Sequence, residues 1–514
     1  MNRSRFNRCE PGRQTLNIFT APRAWGRWAA AALGLLLPIA FAPFNWFWLA
    51  PLSLGGLFLL WVGQDAWEAA LRGLCFGFSA FALGTYWLYI SLQLLGGVPV
   101  PVVMAMMMGL VLSMALYVAS FAWLSIRIAP TEDAIRWLLV VPATWTLLEW
   151  LRSWLFSGFP WLSIGYSQID TPLAGWAPIA GVHAVSWITV LLAGLIPWAV
   201  YGSRVVRTAA AAILVVVVIL SAPLRNVSWT VPGSDELKVA MIQGAIPQQL
   251  KWLPSQLLPT LEAYAGMSLD LEPQDLIIWP EAAIPAVPEQ VQPFLDAMAE
   301  QMAELDTQLL AGILTYDFER DQYRNTLLSL GNPQGDYYKR HLVPFGEYFP
   351  VPGFVREWMR MMNLPYETTT PGPSDQRPLM VKTVAIAPSI CYEVAFGSEQ
   401  LNFLPDAGLL VNVSNDAWFG DSIAPHQHLQ MARMRALEVG RHMLRATNTG
   451  ITALITPNGN IEAIIPQFEP GVLTGVVRPH TGTTLYVRTG NWSIVVATLL
   501  ILVLIAGIGR HRRR

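Results

Sequence analysis

Three short segments of this 514-residue chain hold groups that could do chemistry together. Cys391 sits in Ser389-Ile-Cys-Tyr-Glu393, directly after the apolar run Val381–Ile390. Glu281 closes Asp275-Leu-Ile-Ile-Trp-Pro-Glu281, again at the end of an apolar run. Lys339 lies in Tyr337-Tyr-Lys-Arg-His-Leu-Val-Pro-Phe-Gly-Glu347. Taken singly, each has an ordinary explanation. A lone cysteine is usually a small hydrophobe, a glutamate after proline is a surface carboxylate, and a lysine among aromatics snorkels to water. Taken together they make a reaction. A carboxylate takes the thiol proton, a cation lowers the thiol pKa, and the thiolate attacks a carbonyl. The same ammonium, with a backbone N–H beside Cys391, would stabilise the tetrahedral oxyanion. Glu347 offers a second carboxylate to position the base or shuttle protons.

Such groups need a rigid frame, and the residues from about Pro223 to Thr489 supply one. Short β-rich runs alternate there with helical stretches, which predicts an α/β domain of layered sheets and helices. Strands are expected at Leu237–Gln243, Asp275–Trp279, Leu309–Tyr316, Asn325–Leu330, Val381–Ile390, Gly408–Val413, Thr452–Thr456, Ile461–Ile465 and Val472–Val477. Helices are expected at Pro254–Ser268, Pro288–Leu305 and His426–Met443. Asn458-Gly459 is a hairpin turn signal between two of the strands. A residue following a strand, as Cys391 does, is presented above the sheet in the manner of a nucleophile elbow. The pair His426 and His428 is a weak metal signal, since no second pair or carboxylate set at ligand spacing accompanies it.

The rest of the chain is a different material. Overall, 53% of residues are hydrophobic and only 13% charged, against about 25% charged in soluble proteins. The deficit is concentrated: residues 28–222 carry 12 charges in 195 positions and no lysine, residues 223–509 carry 45 in 287. The first block therefore reads as membrane. About 20 apolar residues cross a bilayer, and seven spans are expected at Trp28–Pro43, Trp46–Gly63, Ala69–Ile90, Val100–Ser125, Trp137–Phe156, Leu173–Tyr201 and Thr208–Ala222. Trp492–Gly509 makes an eighth. Ala42-Pro-Phe-Asn45 divides the first two, which could instead form one broken hairpin. Arginines gather in the N-terminal 27 residues, in alternate loops and at Arg510–Arg514, so the positive-inside rule places both termini in the cytoplasm and residues 223–489 outside.

That reading divides the chain into a basic tail (1–27), a helical bundle (28–222), a catalytic domain (223–489), a closing span (490–509) and a second basic tail (510–514). It also separates the three cysteines: Cys9 cytoplasmic, Cys75 within the bilayer, Cys391 alone outside, so no disulfide framework is possible. The net charge of −2 excludes an electrostatic nucleic-acid binder. Phe354–Leu364 sets Trp358, Met359, Met361 and Met362 among charges, a pattern that suits a lipid-facing lid or a core-packing loop. Glu149 and Arg152, three apart on one helix face, form an ion pair or contribute to head-group binding.

Trp279-Pro-Glu281, the Lys339–Glu347 run and Ser389–Glu393 resemble the Glu-Lys-Cys triad segments of the nitrilase superfamily. Together with the flanking spans, the chain resembles that superfamily's membrane-embedded branch, the apolipoprotein N-acyltransferases, from about Trp28 onward. Gln243–Trp252, Gly158-Phe-Pro-Trp-Leu162, Gly165–Gln168 and Asn415-Asp-Ala-Trp-Phe-Gly420 carry the same resemblance. It implies an α-β-β-α sandwich above about eight spans. Glu281 would be general base, Lys339 oxyanion stabiliser and Cys391 nucleophile, supported by Glu347, Tyr392 and Glu393.

The activity implied is a ping-pong acyl transfer in the final step of lipoprotein maturation. An acyl chain moves from a phospholipid, through a thioester, to the α-amine of a diacylglyceryl-modified N-terminal cysteine. Location would be the bacterial inner membrane with a periplasmic active site. Cofactors and metals are not implied, and a monomer suffices. Trp252, Trp161, Trp418, Phe419 and the lid residue Met362 would contact substrate, while aromatic residues such as Phe159 and Trp161 also suit an interfacial belt. A membrane-anchored amidase or nitrilase, resolving the same acyl-enzyme with water, is the alternative.

Overall fold

A computed structural model of the chain describes residues 23–94, 99–318, 322–348 and 369–511. The lid segment Phe354–Leu364, with Met362, lies outside them. Helices occupy the first part of the described chain: α1 Arg23–Leu36, α2 Leu49–Trp61, α3 Ala66–Gly84, α4 Leu88–Leu94, α5 Val100–Ile128, α6 Val141–Arg152, α7 Ala177–Tyr201 and α8 Arg204–Arg225. Their start and stop signals are local. Asp65 caps α3 by accepting from the N–H groups of Trp67 and Glu68, and α5 starts after Pro99 with Pro101 in its first turn.

By length and apolarity, three helical stretches are able to cross a membrane: Val100–Ile128, Pro172–Tyr201 and Arg204–Arg225. The pair α3 and α4, bent by 54° at its break, makes a fourth if it counts as one span. Among the described residues, helix length and apolarity alone do not reach the expected count of about eight spans. The first expected span ends at Leu36 and gives way to a 3₁₀ turn, Leu37–Ala40, containing Pro38. Likewise the expected Trp137–Phe156 span is a π-type turn, Arg136–Val140, followed by the twelve-residue α6. Pro38 divides an apolar run that hydropathy alone reads as continuous.

Beyond α8 the chain builds two six-stranded sheets. The first has the order β13-β2-β3-β4-β5-β6, the second β12-β11-β10-β9-β8-β7. Their strands are β2 Leu237–Gln243, β3 Leu276–Ile278, β4 Gln308–Asp317, β5 Gln322–Leu330, β6 Gly335–Tyr338, β7 Leu379–Val381, β8 Val384–Ile390, β9 Leu409–Ser414, β10 Met443–Thr447, β11 Thr452–Ile455, β12 Ile461–Ile465 and β13 Gly471–Val477. A small pair, β1 Thr230–Pro232 and β14 His480–Gly482, stands apart. In each sheet three central strands run parallel, β2-β3-β4 and β8-β9-β10, with antiparallel partners outside.

Period-two alternation gives every strand of the first sheet two faces. Leu237, Val239, Met241, Leu276, Ile278 and Leu310 pack against residues of the second sheet, including Leu379, Val381 and Ile386. Ala240, Ile242, Ile277, Leu309 and Ala311 face the other way, toward α9 (Pro254–Leu269) and α10 (Pro288–Glu304). On the second sheet lies α11, Ala424–Val439. It is buried almost all round: Leu429, Ala432, Ala436 and Val439 join the sheet core, while Met431, Met434 and Leu437 join the core of the bundle. The order helix, sheet, sheet, helix results, with α11 shared by both parts, and α12 (Trp492–His511) ends the described chain.

Two expected elements are corrected. Val381–Ile390 is not one strand, because Lys382 at φ +51 turns the chain between β7 and β8. The expected helix His426–Met443 stops at Val439, capped by left-handed Gly440, and Met443 already belongs to β10.

The two parts are keyed together at a break in α7, where Ala180 and Gly181 leave helical geometry. The carboxylate of Glu438 accepts the Val182 N–H at 2.7 Å and Arg435 Nη2 at 2.9 Å. Burial pushes the Glu438 carboxyl up to about 7. Gly181 has φ +72, and a Cβ there would stand 2.6 Å from the Tyr486 ring. Gly181→Ala is therefore expected to cost about 2 kcal/mol or more. It should lower the thermal unfolding midpoint in detergent, and an unchanged midpoint would contradict this account of the joint.

Candidate active site

The chemistry-bearing residues of the two sheets meet at strand ends. Glu281 follows β3 by three positions, Lys339 follows β6 and Cys391 follows β8 directly. The Pro280–Glu281 backbone crosses β4 closely: a Cβ on Gly312 would lie 2.4 Å from the Pro280 carbonyl oxygen. Only glycine admits that approach, which brings Glu281 over the sheet edge.

All three groups are buried, at 6%, 1% and 8% exposure. Lys339 Nζ donates to Glu347 Oε1 at 2.8 Å and to Glu281 Oε1 at 3.3 Å. Asn325 Nδ2 joins the same two carboxylates, at 2.7 Å from Glu281 and 3.3 Å from Glu347. The second oxygen of Glu281 accepts the backbone N–H of Asn415 at 2.8 Å. Burial alone would push the Glu281 carboxyl up, but Lys339, Asn325, the Asn415 N–H and Lys251 together hold it below the usual carboxylate range. Lys339 shows the opposite balance: burial opposes its charge, and Glu281 and Glu347 raise it well above an ordinary lysine.

Cys391 stands at φ +52, in the left-handed region, at the turn after its strand. Such strain in a non-glycine residue is characteristic of functional turns. Lys339 does lower this thiol, as expected, but it is outweighed. Burial, followed by the charge of Glu281, pushes the thiol well up, and Lys339 opposes that only in part because two carboxylates already share it. The resting nucleophile is a thiol.

Glu393 accounts for the shape of the turn. It accepts from Tyr337 Oη at 2.9 and 3.0 Å and from the backbone N–H groups of Ile390, Arg340 and His341 at 2.7, 2.7 and 3.1 Å. One carboxylate thus ties the nucleophile turn to the segment that carries Lys339. Tyr392 is buried and donates from its hydroxyl to the Gly158 carbonyl at 3.0 Å, joining the nucleophile turn to the helical bundle. Glu347 accepts from the Val343 N–H with its other oxygen.

The aromatic residues divide. Trp161, expected to line an approach, is 1% exposed and serves as a strut. Its Nε1 donates to Gln427 Oε1 at 2.7 Å, and its ring packs among Trp87, Phe159, Tyr392, Phe419 and His428. Phe419 and Trp418 are half-buried; Phe419 sits edge-on to Trp87 and the Trp418 carbonyl accepts from Ser91 Oγ. Trp252 is 46% exposed. Its neighbour Lys251 is the buried one, donating to the Glu281 carbonyl at 3.2 Å, with burial lowering its pKa to about 8. Glu149 and Arg152 do pair, at 3.9 Å, but Arg152 spends two bonds on the carbonyls of Phe159 and Trp161 and is 5% exposed. It fixes the segment under Tyr392 and offers nothing to a head group.

Sequence reasoning missed Asn325, Lys251, the Asn415 N–H and the cluster of Asp416, His428 and Arg445. Asn325 could have been suspected as a polar residue opening an apolar strand; the others act only through tertiary contact. His428, raised above as a weak metal candidate, lies 3.0 Å from Asp416 Oδ1.

Residues 33–195 match the family described as apolipoprotein N-acyltransferase N-terminal domain, and residues 238–485 match carbon-nitrogen hydrolase. A Methylococcus capsulatus protein named apolipoprotein N-acyltransferase is 42% identical over 463 residues, covering 90% of this chain and 92% of that one. One from Coxiella burnetii with the same name is 40% identical over 478 residues, 92% of this chain and 98% of that one. Among solved structures, Saccharomyces cerevisiae Nit3 of the nitrilase superfamily aligns with 48% of this chain and 91% of its own, at 17% identity and TM-score 0.36.

The electrostatics of the thiol have a measurable sign. Glu281 raises it, so Glu281→Gln should lower its pKa and speed iodoacetamide alkylation of Cys391 at pH 7.5 by roughly 3–10-fold. Lys339→Ala should slow it. The reverse order of rates would contradict the charge assignment.

Proposed function

The chain belongs to the apolipoprotein N-acyltransferase family, and on that premise we propose how its residues carry the reaction. The enzyme is an acyltransferase. Its donor is a phospholipid, and its acceptor is the α-amine of the S-diacylglyceryl cysteine that begins an apolipoprotein. The observation that carries the mechanism is the Lys339 ammonium held between Glu281 and Glu347 beside Cys391.

In the first half-reaction the donor ester carbonyl enters between Cys391 and Lys339. Glu281 takes the thiol proton as the sulfur attacks the carbonyl carbon. That transfer is uphill in the resting site, where Glu281 is held low and Cys391 high, so it accompanies C–S bond formation. The developing oxyanion draws on Lys339 and on the N–H of Tyr392. Collapse breaks the ester C–O bond, Glu281 returns the proton to the leaving oxygen, and lysophospholipid departs. In the second half the α-amine attacks the thioester, Glu281 accepts its proton, and the C–S bond breaks to give the amide. The proton then returns to the Cys391 thiolate. A nucleophile kept as a buried thiol also resists oxidation between turnovers.

Both substrates are lipids, which places the site next to a bilayer. We take the chain to cross it about eight times, with both termini in the cytoplasm and residues 223–489 in the periplasm, between the bundle of 28–222 and the closing span 490–509. The short basic tails are 1–27 and 510–514. Trp252, Trp418, Phe419 and the lid segment with Met362 would meet the acyl chains and the lipopeptide. A monomer contains every group named. The hydrolase alternative uses the same triad, but relatives matched over nearly their whole length bear the transferase name.

Intact-mass measurement on purified enzyme mixed with phospholipid should show one acyl chain added, mapped to Cys391. Cys391→Ala should show none and should not transfer. Transfer persisting in that variant would refute the covalent route. Lys339→Ala should slow adduct formation about 100-fold or more, and adduct formation at the wild-type rate would remove Lys339 from its role.

A further inference from the structure

His428 stands on α11 behind the nucleophile turn, 1% exposed, and its Nε2 lies 3.2 Å from the carbonyl oxygen of Cys391. A carbonyl only accepts, so Nε2 carries the proton and donates. On the other side of the ring, Nδ1 lies 3.0 Å from Arg445 Nη2, which only donates. Nδ1 is equally 3.0 Å from Asp416 Oδ1, which only accepts, so Nε2 carries its proton in either charge state of the ring. Burial and the charge of Arg445 push the ring's pKa down, and Asp416 pulls against them.

The remaining groups hold the ring in place. Arg445 is buried and donates through Nη2 to Asp416 Oδ2 at 2.8 Å, and through Nη1 to Asn412. Ser414 Oγ donates to Asp416 Oδ1 at 2.7 Å. Asp416 is held far below the usual carboxylate range: burial opposes its charge, and Arg445, His428 and Ser414 outweigh burial. Of these side chains, Ser414 also hydrogen-bonds the Cys391 thiol, and the charge of Asp416 helps to push that thiol up.

The consequence lies in the peptide plane. In a trans peptide the C=O and the following N–H point in opposite directions. His428 draws the Cys391 carbonyl toward α11, on the outer side of the second sheet. The Tyr392 N–H then points away from α11. We propose that His428 is a positioning residue that fixes the Cys391–Tyr392 peptide so that its N–H faces the substrate carbonyl, completing the oxyanion site with Lys339. This rests on the thioester reading above. It also gives φ +52 at Cys391 a restraint that keeps it from relaxing.

The test compares two reactions of Cys391 in the full-length, detergent-solubilised enzyme. Acylation by phospholipid passes through an oxyanion; alkylation by iodoacetamide does not. His428→Ala and His428→Leu, two non-donor variants that guard against a folding failure of either, should slow acylation about 100-fold while alkylation stays within about threefold. His428→Gln, which keeps an N–H donor, should recover most of the acylation rate. Acylation at the wild-type rate in a folded non-donor variant would overturn the proposal. So would equal losses in acylation and alkylation, which would mean a displaced sulfur. A wild-type enzyme that forms no acyl adduct would instead strike at the thioester reading itself.

Discussion

One ammonium organises the active site. A lone lysine cation buried as Lys339 is would cost several kcal/mol, so its presence requires counter-charges at bonding distance. Glu281 and Glu347 supply them, and Asn325 bonds both carboxylates. Burial first, and then the charge of Glu281, keep Cys391 protonated at rest. A substrate carbonyl that becomes an oxyanion competes with the carboxylates for Lys339, which frees Glu281 to hold a proton. The same arrangement that suppresses the thiolate in the empty site thus favours proton transfer once the oxyanion develops.

Geometry of that delicacy has to be held by the fold. The groups come from two sheets, and the sheets are registered at the site by backbone donors as well as by the ion set. Asn415 N–H, after β9, fixes Glu281 from the first sheet; Glu393, after β8, fixes the backbone of Arg340 and His341. The bundle takes part through Tyr392 on Gly158, Trp161 on Gln427, and Val182 on Glu438. α11 is the common member, since its opposite faces serve the bundle core and the sheet core. A site built this way lies against the apolar helices of the bundle.

Much of this was legible in the sequence, for physical reasons. β-rich apolar runs bounded by turn residues, such as Leu237–Gln243 and Ile461–Ile465, announce themselves by composition and flanking turns, and their boundaries agree with the structure. Glu281 and Cys391 were legible because each ends an apolar run, and Lys339 through the family resemblance of its segment. The turn at Lys382 was not, because Val-Lys-Thr-Val lacks the glycine or asparagine that normally marks positive φ. β10, Met443–Thr447, was not expected, and only its first residue fell at the end of an expected helix. Asn325 and Lys251 bond Glu281 across 44 and 30 positions, and the Arg445–His428 contact joins elements with no shared local pattern. Hydropathy marked the apolar helices but overstated their regularity, since Pro38 divides what composition averages.

The central claim is that one sulfur, Cys391, holds the acyl chain between two lipid partners. A chase measures it directly: enzyme acylated with isotopically labelled phospholipid, freed of donor, then mixed with a diacylated lipopeptide. The account predicts that label leaves Cys391 at the rate at which it enters the lipopeptide amide, one equivalent per enzyme. Label lost to water as free fatty acid, or lipopeptide acylated only while donor is present, would contradict it.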